Sequence, residues 1–348
     1  MRIEELDVPG HETVLRVTDR EAGLDGLIAI HSTALGPAAG GLRMRPYADE
    51  AAALDDVLRL ARGMTFKNAA ADLPLGGGKA VILGDPATRT EAQLRGMGRA
   101  VESLAGRYWT AEDMGMTPAD MAVLAQETAY VAGLAGGSGD PSPVTARGVC
   151  AALQATAAAT FGSRDLAGRR VAVQGLGHVG RPLCTLLHAA GAALVVADTD
   201  PAAAAETRAT LGAEIADPSE ILAVPADILA PCAIGAVLNA RTIPALAVRA
   251  VCGAANNQLE TAEDADRLDR RGILYAPDFV ANAGGIVNVA TEILGIADRE
   301  SFVAEKLAAA VRILERIFAR ARAEGLSPHR VAEAIVADRI AARTGRTV

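Results

Sequence analysis

One thirteen-residue stretch, VAVQGLGHVGRPL at 171–183, limits the fold of this chain more than any other. An apolar run leads into Gly175, Gly177 and Gly180, and an apolar helical pattern follows at once. The next strand-like run, ALVVAD, ends at Asp198, eighteen residues past the last glycine. In a strand–turn–helix–strand unit of this kind the first glycine makes the tight turn and the second lets a pyrophosphate approach the backbone. The third allows helix and strand to pack closely. The helix start offers the anion unpaired N–H groups and a partial positive charge. We therefore expect a dinucleotide held at Gly175, Leu176, Gly177, Val179 and Gly180. Asp198 is expected to accept from the adenosine ribose hydroxyls. With Asp200 beside it and no arginine immediately after, a 2′-phosphate is repelled and NAD is favoured over NADP. The plainer account, a bare turn with Asp198 as a strand-end cap, leaves the full strand and helix context unexplained.

The same alternation continues around this unit. RRVAVQG, GRPLCTLLHAAG, ALVVAD, PAAAAETRATLG, DILAP and AVCGAA read as strand and helix in turn, hence a parallel sheet with helices on both faces. Upstream, ETVLRVTD and LIAIHST flank the turn-rich REAGLDG and read as paired strands. A helix is expected from Asp49 to about Ala71, with Ala53, Val57, Leu60 and Met64 as its apolar stripe. AVIL at 80–83 reads as a short buried strand, and Thr90 with Gln93 as a capping box opening a helix to about Leu104. Gly, Ser and Pro dominate AGLAGGSGDPSPVTARG at 132–148, the best boundary in the chain. The expectation is an α/β protein of two domains with a cleft between them. An N-terminal α/β domain spans 1–135, a hinge about 133–144, and a Rossmann-type doubly wound NAD-binding domain 145–324. A C-terminal helix at about 325–348 is expected to pack back on the first domain.

A length of 348 residues makes two domains the default. The formal net charge of −8 and the lack of any Lys/Arg run argue against nucleic-acid binding. Pro and Asp interrupt the longest apolar stretches, so no membrane span is expected, and the N-terminus has no hydrophobic signal region. Cys150, Cys184, Cys232 and Cys252 are scattered, without a CxxC pair or matched histidines. They read as buried thiols of a reducing cytoplasm and not as a disulfide frame or a metal site.

In GMTFKNAAADLPLGGGKAV, at 63–81, two lysines stand in apolar surroundings. Lys67 closes the helical stripe where another leucine is expected, and three glycines precede Lys79. The glycines are read as open space and flexible backbone. Singly, either lysine reads as a stem lying along the core with its head in water. As a pair they suggest a small-anion site. One, kept charged, holds a carboxylate; the other, partly desolvated and near a second cation, has its pKa pushed down towards that of a general base. The acid partner is sought in RYWTAEDMGMT, where spacing does not choose between Glu112 and Asp113.

Ordered stretches through almost the whole chain resemble the leucine/valine/phenylalanine branch of the Glu/Leu/Phe/Val amino-acid dehydrogenases, and leucine dehydrogenase most closely in motif. They are GPAAGGLRMRPY, ALDDVLRLARGMTFKNAAADLPLGGGKAVILGDP, GRYWTAEDMG, GDPSPVTARGV, VQGLGHVG, ADILAPCAIGAVLN, GAANNQL and YAPDFVANAGGIVNVATE. The resemblance implies NAD-dependent oxidative deamination of an L-amino acid to a 2-oxo acid, ammonium and NADH. It implies that Lys67 binds the substrate carboxylate, helped by backbone at Gly40 and Gly41. Lys79 activates the attacking water, and Asp113 holds the amino group and shuttles protons. Asn256 and Asn282 place substrate and nicotinamide, and Thr145 touches the carboxamide. It also implies that domain 1–135 binds the substrate and carries the oligomerisation contacts of a homo-oligomer, from dimer to octamer. By family position the side-chain pocket includes Ala39, Met64, Ala111, Ile286 and Val289, all apolar, which disfavours a glutamate side chain. Branched Ile286 and Val289 suit Leu, Val or Ile; small Ala39 leaves room for an aromatic substrate. The expectation is a branched-chain preference, with a phenylalanine-type enzyme as the alternative and a non-catalytic NAD-binding regulator as a remote one.

Overall fold

The structure, a computed structural model, describes residues 1–134 and 136–344; the parts of the expected domains at 135 and 345–348 lie outside the described residues. The chain divides into two compact units. One takes 1–140, 288–299 and the chain from Val336 on; the other takes 141–287 and 300–335. The first division, after Asp140, falls within the glycine-rich stretch. The segment 288–299, read from sequence as part of the nucleotide-binding domain, groups with the first unit.

In the first unit β1 (Arg2–Leu6), β2 (Thr13–Asp19) and β3 (Leu24–Ser32) form an antiparallel meander. Next come β4 (Ala38–Ala39), β5 (Leu42–Arg45), α1 (Glu50–Ala70) and β6 (Gly76–Leu83). After them follow α2 (Glu91–Glu102), β7 (Tyr108–Trp109) and α3 (Pro118–Leu124). The sheet order is β1-β2-β3-β6-β4-β7, and β4 and β5 both run parallel along β6. Side chains alternate across this sheet. Ile28, Ile30, Ala80 and Ile82 pack with Leu94, Met97 and Val101 of α2 and with Met121 and Leu124 of α3. Leu27, Ala29 and Val81 pack with Ala53, Val57 and Ala61 of α1. Lys79 shares the face of Val81, and Arg43, paired in register with Val81, shares it too. Both therefore stand on the α1 side.

Two sequence expectations change here. The buried stripe of α1 is Ala53, Val57, Ala61 and Thr65, whereas Leu60, Met64 and Lys67 flank it and are only half-buried. Small residues let the helix lie close on the sheet, which leaves the longer side chains at its margin. The glycines before Lys79 are also not a loose loop, because β6 starts at Gly76 and buries all three. A Cβ at Gly77 would lie 2.0 Å from the Thr65 backbone nitrogen, and one at Gly78 would lie 2.7 Å from the Tyr108 ring. Close approach of α1 and Tyr108 to this strand, and not flexibility, requires glycine there.

The second unit opens with α4 (Ser142–Phe161). Strands β8 (Arg170–Gln174), β9 (Ala193–Ala197), β10 (Glu214–Ile215), β11 (Ile228–Pro231), β12 (Ala250–Val251) and β13 (Leu274–Tyr275) follow. Helices α5 (Gly180–Ala189), α6 (Pro201–Leu211), α7 (Glu263–Arg270) and α8 (Asp278–Ala281) lie between and after them. All six strands are parallel, in the order β10-β9-β8-β11-β12-β13. This is the doubly wound arrangement, with the order reversing beside β8, and the glycine loop leaves the carboxyl end of that strand. The chain closes with α9 (Gly284–Ile293), α10 (Arg299–Glu324) and α11 (Pro328–Thr344). Within the first unit, Arg339 of α11 pairs with Asp72 and donates to the Ala69 carbonyl. No helix among the described residues is long and apolar enough to cross a membrane.

Candidate active site

In the first unit, Leu42 N–H donates to the Ala111 carbonyl (2.8 Å) and Ala80 N–H to the Gly41 carbonyl (3.3 Å). The line of β4 and β5 is thus held between β6 on one side and the segment 108–114 on the other. Across that line the Lys79 Nζ meets Asp113 Oδ2 at 2.8 Å. Gly41 is what lets them meet: a Cβ there would lie 2.8 Å from the Asp113 Cβ and 2.9 Å from the Glu112 carbonyl oxygen. Gly40 is tighter still, its virtual Cβ 1.9 Å from the Gly78 carbonyl oxygen and 3.0 Å from Met64 Cγ. Tyr108, fully buried, donates its hydroxyl to the Gly40 carbonyl at 2.7 Å, and burial pushes its phenol pKa up, so it stays a donor.

The Lys79 side chain is 7% exposed and that of Asp113 25%, so the pair opens to the outside through the carboxylate. A second cation shares this carboxylate: Arg43 Nε donates to the same Oδ2 at 2.9 Å. Arg43 is held in turn by Asp56 of α1 at 3.0 Å, which also accepts from Tyr47 (2.9 Å) and Arg59 (2.8 Å). Burial alone raises the Asp113 carboxyl, but the charges of Lys79 and Arg43 outweigh it and hold the pKa down at about 2. Asp113 is therefore a carboxylate at neutral pH, an acceptor poised for a cationic group.

The structure thus brings Lys79, Asp113, Gly40 and Gly41 together, with Met64 against Gly40. Lys67 lies one turn beyond Met64 on α1, half-buried. Ala39 is buried in register with Gly77 and Trp109; Ala111 is half-buried beside Leu42; Val289 is buried on the part of α9 that belongs to the first unit. Ile286, half-buried, belongs to the second unit. Sequence reading missed Arg43 and Asp56. The signal was the charged Arg43 between buried Leu42 and Met44, a cation placed on the inner face of a strand. It also missed Glu292 of α9, whose Oε2 accepts from Gly133 N–H (2.8 Å) and from the Ser138 N–H and hydroxyl (both 3.1 Å). The glycine-rich segment is tied down by that carboxylate.

Because Gly41 leaves no room beside Asp113, Gly41→Ala is expected to displace the carboxylate from Lys79. Overpacking of this size costs about 1–3 kcal/mol, whereas, if the pair carries out chemistry, a misplacement of about 1 Å costs roughly 100-fold in rate. Turnover should fall far more than the thermal midpoint does, which steady-state rates and a melting curve on the same sample would show.

In the second unit Gly175 has φ +97°, a left-handed conformation that opens the turn after β8. A Cβ at Gly180 would lie 2.0 Å from the Gly175 carbonyl oxygen, so helix and loop touch, whereas a Cβ at Gly177 would meet nothing within 4 Å. Helix α5 begins at Gly180, its N-cap Val179 makes no side-chain cap, and the loop before it is lined by Leu176, buried, and Val179, half-buried. Asp198 stands half-buried at the end of β9 and accepts from the N–H groups of Leu176 and Asp200. Burial raises its carboxyl, and those N–H groups more than offset it, lowering the pKa. Asn282, nearly buried, donates to the carbonyls of Ala254 and Ala255 and to the side chain of Asn256, which is itself exposed. Its own Oδ1 is buried and has no partner among the described residues. Thr145, in the first turn of α4, lies 3.1 Å from the virtual Cβ of Gly285 at the start of α9.

Comparison with known proteins shows the family. Residues 11–130 match the family described as Glu/Leu/Phe/Val dehydrogenase, dimerisation domain; residues 136–207 and 202–344 match Glutamate/Leucine/Phenylalanine/Valine dehydrogenase. The chain is 47% identical to a leucine dehydrogenase of Geobacillus stearothermophilus, over 95% of this chain and 90% of that protein. It is 44% identical to an L-tryptophan dehydrogenase of Nostoc punctiforme over 95% and 94%. A crystal structure of the Nostoc enzyme superposes with a TM-score of 0.86 at 42% identity, covering 97% of this chain and 98% of that one. A hetero-hexameric glutamate dehydrogenase from Thermus thermophilus does so with 0.78 at 25% identity, covering 99% and 89%. With a buried Lys–Asp pair in one unit and a glycine-loop nucleotide fold in the other, the chain belongs to the Glu/Leu/Phe/Val family of amino-acid dehydrogenases.

Proposed function

We propose that this enzyme is an NAD-dependent dehydrogenase of apolar L-amino acids, with Leu, Val and Ile preferred. It catalyses the reversible reaction of amino acid, NAD⁺ and water to 2-oxo acid, ammonium, NADH and a proton. The observation that carries the reading is the buried Lys79–Asp113 pair standing beside Gly40 and Gly41. In this reading Lys67, at the open margin of α1, holds the substrate carboxylate with the backbone at Gly40 and Gly41. Asp113, an ionised acceptor, fixes the amino group and takes up its protons in passing. A bound nicotinamide would supply the hydride acceptor for Cα, and the substrate would then carry an iminium at that carbon. Lys79 then removes a proton from the water that attacks this carbon, and its burial keeps other water from competing. Ammonium departs as the carbonyl forms.

The second unit fits NAD. The open side of Gly177 and the uncapped start of α5 receive the pyrophosphate across Gly175, Leu176, Val179 and Gly180. Asp198 turns its remaining acceptor capacity to the ribose hydroxyls and repels a 2′-phosphate. The Asn282 Oδ1 suits a carboxamide N–H donor, with Asn256 bonded to the same side chain, and the family resemblance assigns Thr145 to the same carboxamide. Gly177→Ala should therefore fold like the parent yet weaken NADH binding by at least about tenfold, a loss of roughly 1.4 kcal/mol. Gly180→Ala should lose stability first, because its Cβ meets backbone. NADH fluorescence titration and thermal melting of the two variants separate these effects.

Side-chain selectivity rests on Ala39, Met64, Ala111, Ile286 and Val289, none of which can pair a second carboxylate. Apolar pockets discriminate a methylene by only about 1–3 kcal/mol, so the aliphatic range is broad. The aromatic reading keeps one support, the small side chain at Ala39. Rates with a panel of L-amino acids, NAD and NADP tested separately, decide between them. Leu, Val and Ile ahead of Phe and Trp with NAD support the proposal; an aromatic lead overturns the preference. Assembly of the enzyme as a homo-oligomer in the cytoplasm belongs to the same proposal.

A further inference from the structure

Asp113 receives two cations on one of its oxygens. Lys79 Nζ lies 2.8 Å and Arg43 Nε 2.9 Å from Oδ2, and neither bond goes to Oδ1. The backbone that carries Asp113 is pinned along β5 by Leu42 N–H on the Ala111 carbonyl and Met44 N–H on the Met114 carbonyl, so what is left to orient is the carboxylate itself. Lys79 alone is a point charge on a four-carbon stem and fixes a distance more than an orientation. Arg43 is a planar fork whose other arm is clamped. Its NH1 donates to Asp56 Oδ2, and Asp56 is held from two further sides by Tyr47 and Arg59. Arg43 and Asp56 side chains are only 13% and 11% exposed, so the clamp is packed. The chain therefore runs from helix α1 through a rigid guanidinium to one oxygen of Asp113, seventy residues away in sequence.

We propose that Arg43 is the positioning residue of this active site: braced by Asp56, it pins Oδ2 of Asp113 and so turns Oδ1 towards the amino group of the substrate. The inference rests on the amino-acid dehydrogenase reading above and adds a residue that the reading does not need. A guanidinium that only neutralised a buried carboxylate would act through folding stability. One that orients Asp113 acts on the step in which nitrogen is held, in both directions of the reaction. In reductive amination this is the capture of ammonium, and the binding of the 2-oxo acid, which has no nitrogen, is untouched.

The test measures both directions for Arg43→Ala, Arg43→Lys and Asp56→Asn, with NADH binding and thermal midpoint recorded alongside. Arg43→Ala is expected to lose roughly 100-fold in kcat, the cost of a mispositioned group. The KM for ammonium should rise well above about fivefold while that for the 2-oxo acid stays within about twofold. Ethylguanidinium, at concentrations that leave the midpoint unchanged, should restore part of the rate. Arg43→Lys should fall between, since one ammonium cannot bridge Asp113 and Asp56. Asp56→Asn, which keeps Arg43 and Asp113 but loosens the clamp, should show the same split at about tenfold. If Arg43→Ala does not fold, Asp56→Asn decides. Rates within about threefold of the parent in either decisive variant overturn the proposal. So does a loss that raises both KM values equally and ignores ethylguanidinium. A parent enzyme that binds NADH and oxidises no amino acid would instead sink the functional reading, and the inference with it.

Discussion

Replacement of Lys79 by alanine is expected to lower kcat for amino-acid oxidation by roughly 10³–10⁴-fold, the upper range for a lost general base. The loss should lie in turnover and not in cofactor binding, because Lys79 belongs to the first unit and the glycine loop to the second. Two causes add. On the proposed mechanism the attacking water loses the group that takes its proton, and Asp113 loses one of the two cations bonded to its Oδ2. With Arg43 still on Oδ2, Asp113 remains ionised, so the variant keeps a charged site without its base. Glutamine in place of Lys79 fills most of the space and separates the lost proton acceptor from the cavity that alanine leaves. It should be nearly as inactive. Single-turnover rates at saturating NAD, with NADH binding measured independently, check both variants.

The second large effect is expected for Asp113→Asn, in stability as well as rate. Removing one partner of a buried pair leaves the other charge uncompensated, at a cost of about 3–5 kcal/mol. Here two cations converge on one carboxylate that is a quarter exposed, which places the cost near the low end, about 3 kcal/mol. The pH dependence identifies the cause. The folded-state pKa of about 2 lies below the ordinary value of 3.8, so Asp113 contributes its stability in full above that value. The contribution declines as pH falls from about 3.8 towards 2, where wild type comes to resemble the variant. Urea unfolding at pH 6, 4 and 3 should show the gap between them narrowing on the acid side. A gap that stays constant would mean that packing, and not charge, holds Asp113.

The nucleotide-binding half was legible because its code is local. Strand, glycines, helix and Asp198 lie within about thirty residues, and both the left-handed turn at Gly175 and the contact of Gly180 with the Gly175 carbonyl are set within the loop itself. Gly175, Gly177 and Gly180 have the turn, the open side and the close contact that their order implies. The first unit was legible only in part. Three consecutive glycines read as a loop because glycine weakens isolated strands. Their place in β6 follows from Thr65 and Tyr108, which press on the strand from other parts of the chain. Leu60 and Met64 looked like core because large apolar residues dominate a periodicity pattern. Alanines at 53 and 61 form the true contact, since small residues bring helix and sheet together. Arg43 was hidden for a different reason. Its partner is set by which segments flank β5, and no spacing within LRMR reveals that pairing.

The most direct test of the account is the stoichiometry of oxidation with the purified enzyme, NAD and L-leucine. The account predicts equal amounts of NADH, ammonium and the 2-oxo acid, with all three lost together in Lys79→Ala while NADH binding persists. NAD binding without NADH formation from any apolar L-amino acid, or NADH formation that survives Lys79→Ala unchanged, would contradict it.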